Sequence, residues 1–327
     1  MGSIPKIVLT PLKWASKKII NRTLLRFPGE DQQTPIACVY CPEMCRFSCP
    51  TAVVSGNDAV TPCNKMGLLY KEEKWPGSLS KESELWPIYD CTGCGRCTEY
   101  CVYEMPVTQK LFAARKTFKW DRAQEVATEI TDELDRVGDL ADELGDQGNA
   151  KRRMEKFIQS LSTPPLSEGT TQPVSIQVNE PKSCFYLNQN GYPATLKWED
   201  QLKTEGVPSE VIQKLESKTW LVHESGWHSR HLKSSEVIHS WFESLRQAGV
   251  KVERPFAHGR DCIDCGGEGA YSRLFPEQAD QMAREIWERD QHRAQGILCI
   301  SQRCAQHFRK VMGAKVPVLA IQELYSL

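Results

Sequence analysis

Four cysteines within eleven residues set the chemistry of this chain. Cys91-Thr-Gly-Cys94-Gly-Arg-Cys97-Thr-Glu-Tyr-Cys101 spaces its thiols as C-x2-C-x2-C-x3-C. Three thiolates this close wrap one face of a [4Fe–4S] cube, and Gly93 and Gly95 let backbone N–H groups approach the inorganic sulfides. Zinc fits the run less well, because zinc motifs pair two C-x2-C units across a gap. A second run, Cys38-Val-Tyr-Cys41-Pro-Glu-Met-Cys45-Arg-Phe-Ser-Cys49-Pro50, reads C-x2-C-x3-C-x3-C-P. Nine of the 14 cysteines fall between Cys38 and Cys101. With no signal peptide expected, metal binding explains that crowding better than disulfides do.

The 91–101 run is similar to that of bacterial ferredoxins. The Cys-Pro that closes the 38–50 run matches it too, whereas the extra residue between Cys41 and Cys45 departs from it. In two-cluster ferredoxins the fourth cysteine of each run ligates the other cluster. On that pattern Cys38, Cys41, Cys45 and Cys101 hold one [4Fe–4S] cluster, and Cys91, Cys94, Cys97 and Cys49 hold the other. Eight ligands serve two cubanes, and Cys63, in Thr-Pro-Cys-Asn-Lys, is left over as a buried structural thiol.

The C-terminal third carries a second, sparser set: His223-Glu-Ser-Gly226-Trp-His228-Ser-Arg230-His231, Cys262-Ile-Asp264-Cys265-Gly266-Gly267-Glu-Gly269 and Cys299-Ile-Ser301-Gln-Arg-Cys304. In order and spacing, residues 219–327 resemble the cysteine-rich CCG domain of heterodisulfide reductase catalytic subunits and their relatives. The resemblance implies a fused electron-transfer and reductase-type subunit with one CCG module. Three family cysteines fall here on Gly226, Asp264 and Ser301, and only Cys265 and Cys304 keep family positions. The noncubane double cluster of that family needs the full set, which speaks against heterodisulfide chemistry here. Cys262 and Cys299 are additional. With Cys265 and Cys304 they form a candidate site for a third [4Fe–4S] cluster or for zinc, or they hold no metal. His223, His228, His231 and His258 lie close by in sequence and read more readily as hydrogen-bonding residues than as ligands. Gly266, Gly267 and Gly269 lack the lysine a phosphate loop needs. Cys184 reads as structural.

The elements that must position these groups fall into four stretches. Residues 1–34 are a basic, amphipathic leader. Within 1–28, six Lys and Arg precede the first acid, and Leu12, Ala15, Ile19, Leu24 and Phe27 recur near helical spacing, as in a helix lying on an anionic membrane or a partner. Residues 35–160 are expected to form an α-helical, dicluster ferredoxin-like domain. Its end, 119–160, has Val126, Ile130, Leu134, Val137, Ala141 and Leu144 on one face; an acidic face with Glu125, Glu129, Asp132, Asp135, Asp139, Asp142 and Asp146 is expected in solvent. Residues 161–182, with four prolines, read as a linker. Residues 183–327 alternate strands (219–223, 250–253, 296–300, 316–321) with helices (235–248, 277–295). That pattern is a small, CCG-like α/β domain with a mostly parallel sheet, and the fold class overall is α+β with two domains.

The chain has 327 residues, with 41 basic against 42 acidic, a balance that disfavours a nucleic-acid binder. No run of about 18 apolar residues spans a bilayer. The expected function is an iron–sulfur electron-transfer subunit of a multisubunit oxidoreductase rather than a stand-alone catalyst. Its expected partners are a flavoprotein dehydrogenase or an electron-transferring flavoprotein and a quinone-linked membrane subunit, in the cytoplasm or on the cytoplasmic membrane face. Two rivals stand beside it: a thiol–disulfide reductase using Cys262 and Cys265, and a structural subunit with a zinc-bound or metal-free C-terminal domain.

Overall fold

A computed structural model describes residues 35–39, 41, 43–130, 136–161, 175–202 and 206–325. The leader 1–34 and residues 162–174 of the expected linker lie outside the described residues. Helices predominate, and two small parallel sheets accompany them.

Short helices carry the N-terminal cysteines, and their start signals explain where the thiols sit. Pro50 opens helix α1 (Pro50–Ser55) and leaves Cys49 at its N-cap in extended backbone. Helix α2 (Pro62–Lys74) begins the same way: Pro62 is its first residue, and the Thr61 hydroxyl accepts from Asn64 N–H at 3.4 Å. Cys63 therefore stands in the first turn of α2. Helix α3 (Val107–Thr117) follows the second run and buries Val107, Leu111 and Phe112.

The 119–160 stretch departs from expectation. Instead of one amphipathic helix it forms a helix at Asp121–Glu129, a π-helical turn at Asp139–Glu143 and a helix at Gln147–Leu161. Val126, Ile130, Val137, Ala141 and Leu144 are buried as the pattern implies. The acidic face is not all solvated, because Asp139, Asp142 and Glu143 are buried. Arg136 meets Asp139 from just before the turn, and further counter-charges come from far along the chain: Arg303 meets Asp139 at 2.6 Å, and Lys182 pairs with Glu143. Buried carboxylates require such partners. Asp132, Leu134 and Asp135 lie outside the described residues.

Strands β1 (Ile176–Val178) and β2 (Ala194–Leu196) pair in parallel around helix α4 (Pro181–Gln189), so the end of the expected linker is structured. The larger sheet has the order β4-β3-β5-β6, with β3 (Trp220–His223), β4 (Val252–Glu253), β5 (Gly296–Cys299) and β6 (Val318–Ala320) all parallel. Helices α5 (Ser235–Gln247), α6 (Pro276–Asp290) and α7 (Gln302–Met312) make the crossovers. Both central strands are buried along their whole length, as apolar runs of this kind require. Register sets His223 beside Cys299 and Cys299 beside Ala320 at the carboxyl ends, where an α/β sheet places its sites.

One apolar core runs from Ala37 to Leu324 and draws on both halves of the chain. Trp227 is fully buried where residues of the two halves meet: the ring stacks on Phe112 and on His231, and its indole N–H donates to the Thr92 carbonyl at 3.3 Å. Full burial of a side chain of this size contributes roughly 2–3 kcal/mol. Gly93 must be glycine, because its φ of +73° is left-handed and a Cβ there would meet Phe112 and Trp227 at 2.7 Å.

Candidate metal centres

The thiols gather into three groups. In the first, Cys38 leaves the short helix Ile36–Val39, Cys45 sits in the 3-10 turn Met44–Arg46, and Cys101 ends the second run. Burial pushes the Cys38 thiol up to about 12, and nearby Cys101, Cys41 and Cys63 push the same way. Burial also raises Cys41, with Cys101 and Cys63 adding to the effect. Met105 N–H donates to Cys101 Sγ at 3.4 Å. Cys38, Cys41, Cys45 and Cys101 are half-buried.

Cys63 is a fifth thiol in this group. It hydrogen-bonds Cys45, and that bond, helped by the Thr61 hydroxyl at 3.2 Å, lowers Cys63 to about 7 while Cys45 is raised. No spacing signal announces it, since Cys63 arrives through the fold of α2 rather than through either run.

The second group comprises Cys49, Cys91, Cys94 and Cys97, which line one cavity together with Lys65, Thr51 and Thr92. Burial drives Cys97 well above the ordinary thiol value, and Cys91, Cys49 and Cys94 reinforce it. Gly93 N–H donates to Cys91 Sγ at 3.4 Å.

Three buried cations border this group. Lys65 donates to the Asp90 carbonyl; Arg115 donates to the carbonyls of Ile88 at 2.9 Å, Tyr89 at 3.3 Å and Cys91 at 3.1 Å. Arg230 reaches across from the C-terminal half, its Nε donating to the Cys94 carbonyl at 2.6 Å. Burial alone would lower Lys65, yet the Cys49 and Cys91 thiols with Asp90 outweigh it and hold the ammonium above its ordinary pKa.

Buried cations need negative charge nearby. Burial raises the carboxyls of Asp90 and, to about 6, of Asp264. Four thiolates around an iron–sulfur core add negative charge in the cavity that these cysteines line beside Lys65, so the residues present fit the group their spacing implies.

The four C-terminal cysteines of the expected site have different neighbours. At Cys262, Arg230 Nη1 donates to the sulfur at 3.3 Å and to the carbonyl at 2.9 Å, on the side of Cys94. Burial lifts its thiol to about 12 although Arg230 opposes. The ligand atoms of His223, Cys265 and Cys304 lie within 4.8 Å of one another, and the three residues can bind a metal ion. Burial would raise the Cys265 thiol, but hydrogen bonds from Cys304 and His223 outweigh it and hold it well below the ordinary value. Cys299 shares their small core.

The positions where the resemblance places lost cysteines have found other work. Asp264 Oδ1 accepts Gly266 N–H at 2.8 Å, and Ser301 caps α7 and donates to Glu180 at 3.1 Å. At Gly226 a Cβ would meet Arg230 Nη2 at 2.1 Å, so the guanidinium fills the space of a side chain there. Of the other residues singled out by sequence, His231 Nε2 bonds the Gly93 carbonyl at 2.8 Å, His228 lies against Trp198, and Cys184 donates to the Ala194 carbonyl at 3.4 Å.

Compared with models of protein families, with curated proteins and with solved structures, the chain matches none. Among the described residues no helix is long and apolar enough to cross a membrane.

Proposed function

We propose that this chain is an iron–sulfur electron-transfer subunit of a larger oxidoreductase. Cys38, Cys41, Cys45 and Cys101 would hold one [4Fe–4S] cluster, and Cys49, Cys91, Cys94 and Cys97 a second. Such clusters, when bound, store and release single electrons. The observation that carries this reading is the exchange between runs: Cys101 lies with Cys38 and Cys41, and Cys49 lies with Cys97 and Cys91.

The chain's own residues do the rest. Backbone N–H groups of Gly93 and Met105 donate to ligand sulfurs, and Arg115 and Arg230 pin the carbonyls of Cys91 and Cys94 so that the ligand loop keeps its shape. A flavoprotein dehydrogenase or an electron-transferring flavoprotein on one side, and a quinone-linked membrane protein on the other, are the partners we infer. A reducing compartment such as the cytoplasm suits so many free thiols.

Iron and acid-labile sulfide on anaerobically purified chain, with EPR of the dithionite-reduced protein, test the proposal. About eight irons are expected, from two cubanes at four each. A chain that carries no iron when made and purified without oxygen overturns it. A thiol–disulfide reductase at Cys262 and Cys265 is less well supported, because both thiols are buried and they face different neighbours.

A further inference from the structure

We infer that His223, Cys265, Cys304 and Cys299 form a closed, mononuclear zinc site at the carboxyl end of the larger sheet. The inference does not depend on the iron–sulfur reading of residues 38–101. It gives the C-terminal half a structural metal instead of a third redox station.

Size is the first argument. Ligand atoms of His223, Cys265 and Cys304 all lie within 4.8 Å of one another. Four donors on one tetrahedral zinc, at about 2.3 Å for sulfur and about 2.0–2.1 Å for nitrogen, stand roughly 3.5–3.8 Å apart, which these residues reach with small adjustments. A cubane seats each ligand on a different iron at the corners of a cube, and three donors gathered this tightly leave no room for four irons and four sulfides between them.

The donors themselves form the second argument. His223 Nε2 is buried without a well-formed hydrogen bond and faces Cys265, although a buried polar nitrogen ordinarily has a partner. An imidazole with soft thiolates in a tetrahedral arrangement selects zinc over the harder divalent ions.

Closure is the third. His223 is 2% exposed, Cys265 0% and Cys304 1%, so neither water nor substrate has an open coordination position to fill. A closed zinc site needs a fourth protein ligand. Cys299 is 0% exposed, is the register partner of His223 on the adjacent strand, and bears electrostatically on both other thiols. The four donors come from β3, β5, the 262–269 loop and the first turn of α7, so one ion ties together the elements that build this end of the domain.

The test uses the whole chain, purified anaerobically, with zinc and iron measured per chain and the zinc edge examined by X-ray absorption. One zinc with a first shell of three sulfurs and one nitrogen is expected. His223→Ala and Cys304→Ser should each lose the zinc and keep their iron. Absence of zinc, a sulfur-only first shell, or about four extra irons that leave with Cys304→Ser (a third cubane) would each overturn the inference. Should the variants fail to fold, the absorption spectrum of the unaltered chain decides alone. Loss of the iron–sulfur reading would show in the iron count and leave the zinc result standing.

Discussion

The two N-terminal thiol groups offer similar ligands in opposite surroundings. Around Cys49, Cys91, Cys94 and Cys97 the chain buries Lys65, Arg115 and Arg230 and closes the site with Trp227 and His231 from the other half. Around Cys38, Cys41, Cys45 and Cys101 the ligands are half-buried, and, among the described residues, the cation Lys110 bears on Cys38. Apolar side chains next to that first group in the chain stand in solvent: Val39, Met44 and Phe47, the last 76% exposed. Ligand type alone does not set a cluster's potential; burial, local charge and hydrogen bonds to sulfur do. On the proposed reading, the buried cations should make the second group easier to reduce, against the opposing effect of its burial, and the half-exposed first group is the more accessible of the two.

The strongest way to break that comparison removes one side of it. Cys94→Ser should cut iron from about eight to about four per chain, with one EPR signal lost and electron transfer through the chain stopped. Retention of all the iron would undo the ligand assignment at the second group.

Acid should act on the protected side. Burial, reinforced by Arg230 and Lys182, depresses His231 to about 4 from its ordinary 6.5. The unfolded chain takes up that proton first, so the stability linked to neutral His231 is complete above pH 6.5 and is lost as pH falls toward 4. The contribution is at most about 3 kcal/mol. Asp142 and Asp264, raised to about 6 by burial, tilt the curve the other way between pH 4 and 6. Subtracting the curve of His231→Phe from that of the parent isolates the histidine. Urea midpoints from pH 4.5 to 7 should fall with acidification in the parent more than in the variant, and parallel curves would remove His231 from this role.

Charge sharpens the comparison further. Arg230→Gln takes one buried positive charge from beside Cys94, making reduction there harder. At several ångströms and an effective dielectric near 20, the shift is on the order of 100 mV more negative. A redox titration followed by EPR should show the second cluster moving and the first staying. Equal shifts in both would mean that Arg230 acts through the fold.

These contrasts were unevenly legible in the sequence. Cysteine spacing exposes both runs because a cluster's ligands are local in the chain, and the strands near 220 and 296 show themselves as short apolar runs ending at turns. Asp139 misled for a physical reason: helical periodicity reports which residues share a face, but not that Arg303 and Lys182, far along the chain, will cover it. Cys262 and Cys265 are three residues apart, yet the loop turns one sulfur toward Arg230 and the other toward His223. Arg115 and Lys65 carry no signal at all, since a buried cation is recognised only once its neighbours are in place.

Cys63 is the clearest case of that kind, and it supports the smallest expected effect. The first group has five thiols for the four iron corners of one cubane. Cys45 and Cys63 hydrogen-bond one another, so a ligand removed at one finds the other already beside it. Cys63 stands in the first turn of α2, where the N-terminal end of the helix favours a thiolate. Cys45→Ser should therefore keep its iron, with a small change in the shape of one EPR signal as Cys63 takes the vacated corner. Cys63→Ser should also keep it, whereas the double variant should lose about four irons. The further thiol beside the second group, Cys262, is held by Arg230 rather than by a ligand cysteine, so Cys94→Ser should show no such rescue. If Cys45→Ser alone empties the first group, Cys63 is a bystander and the two groups differ only in charge and exposure.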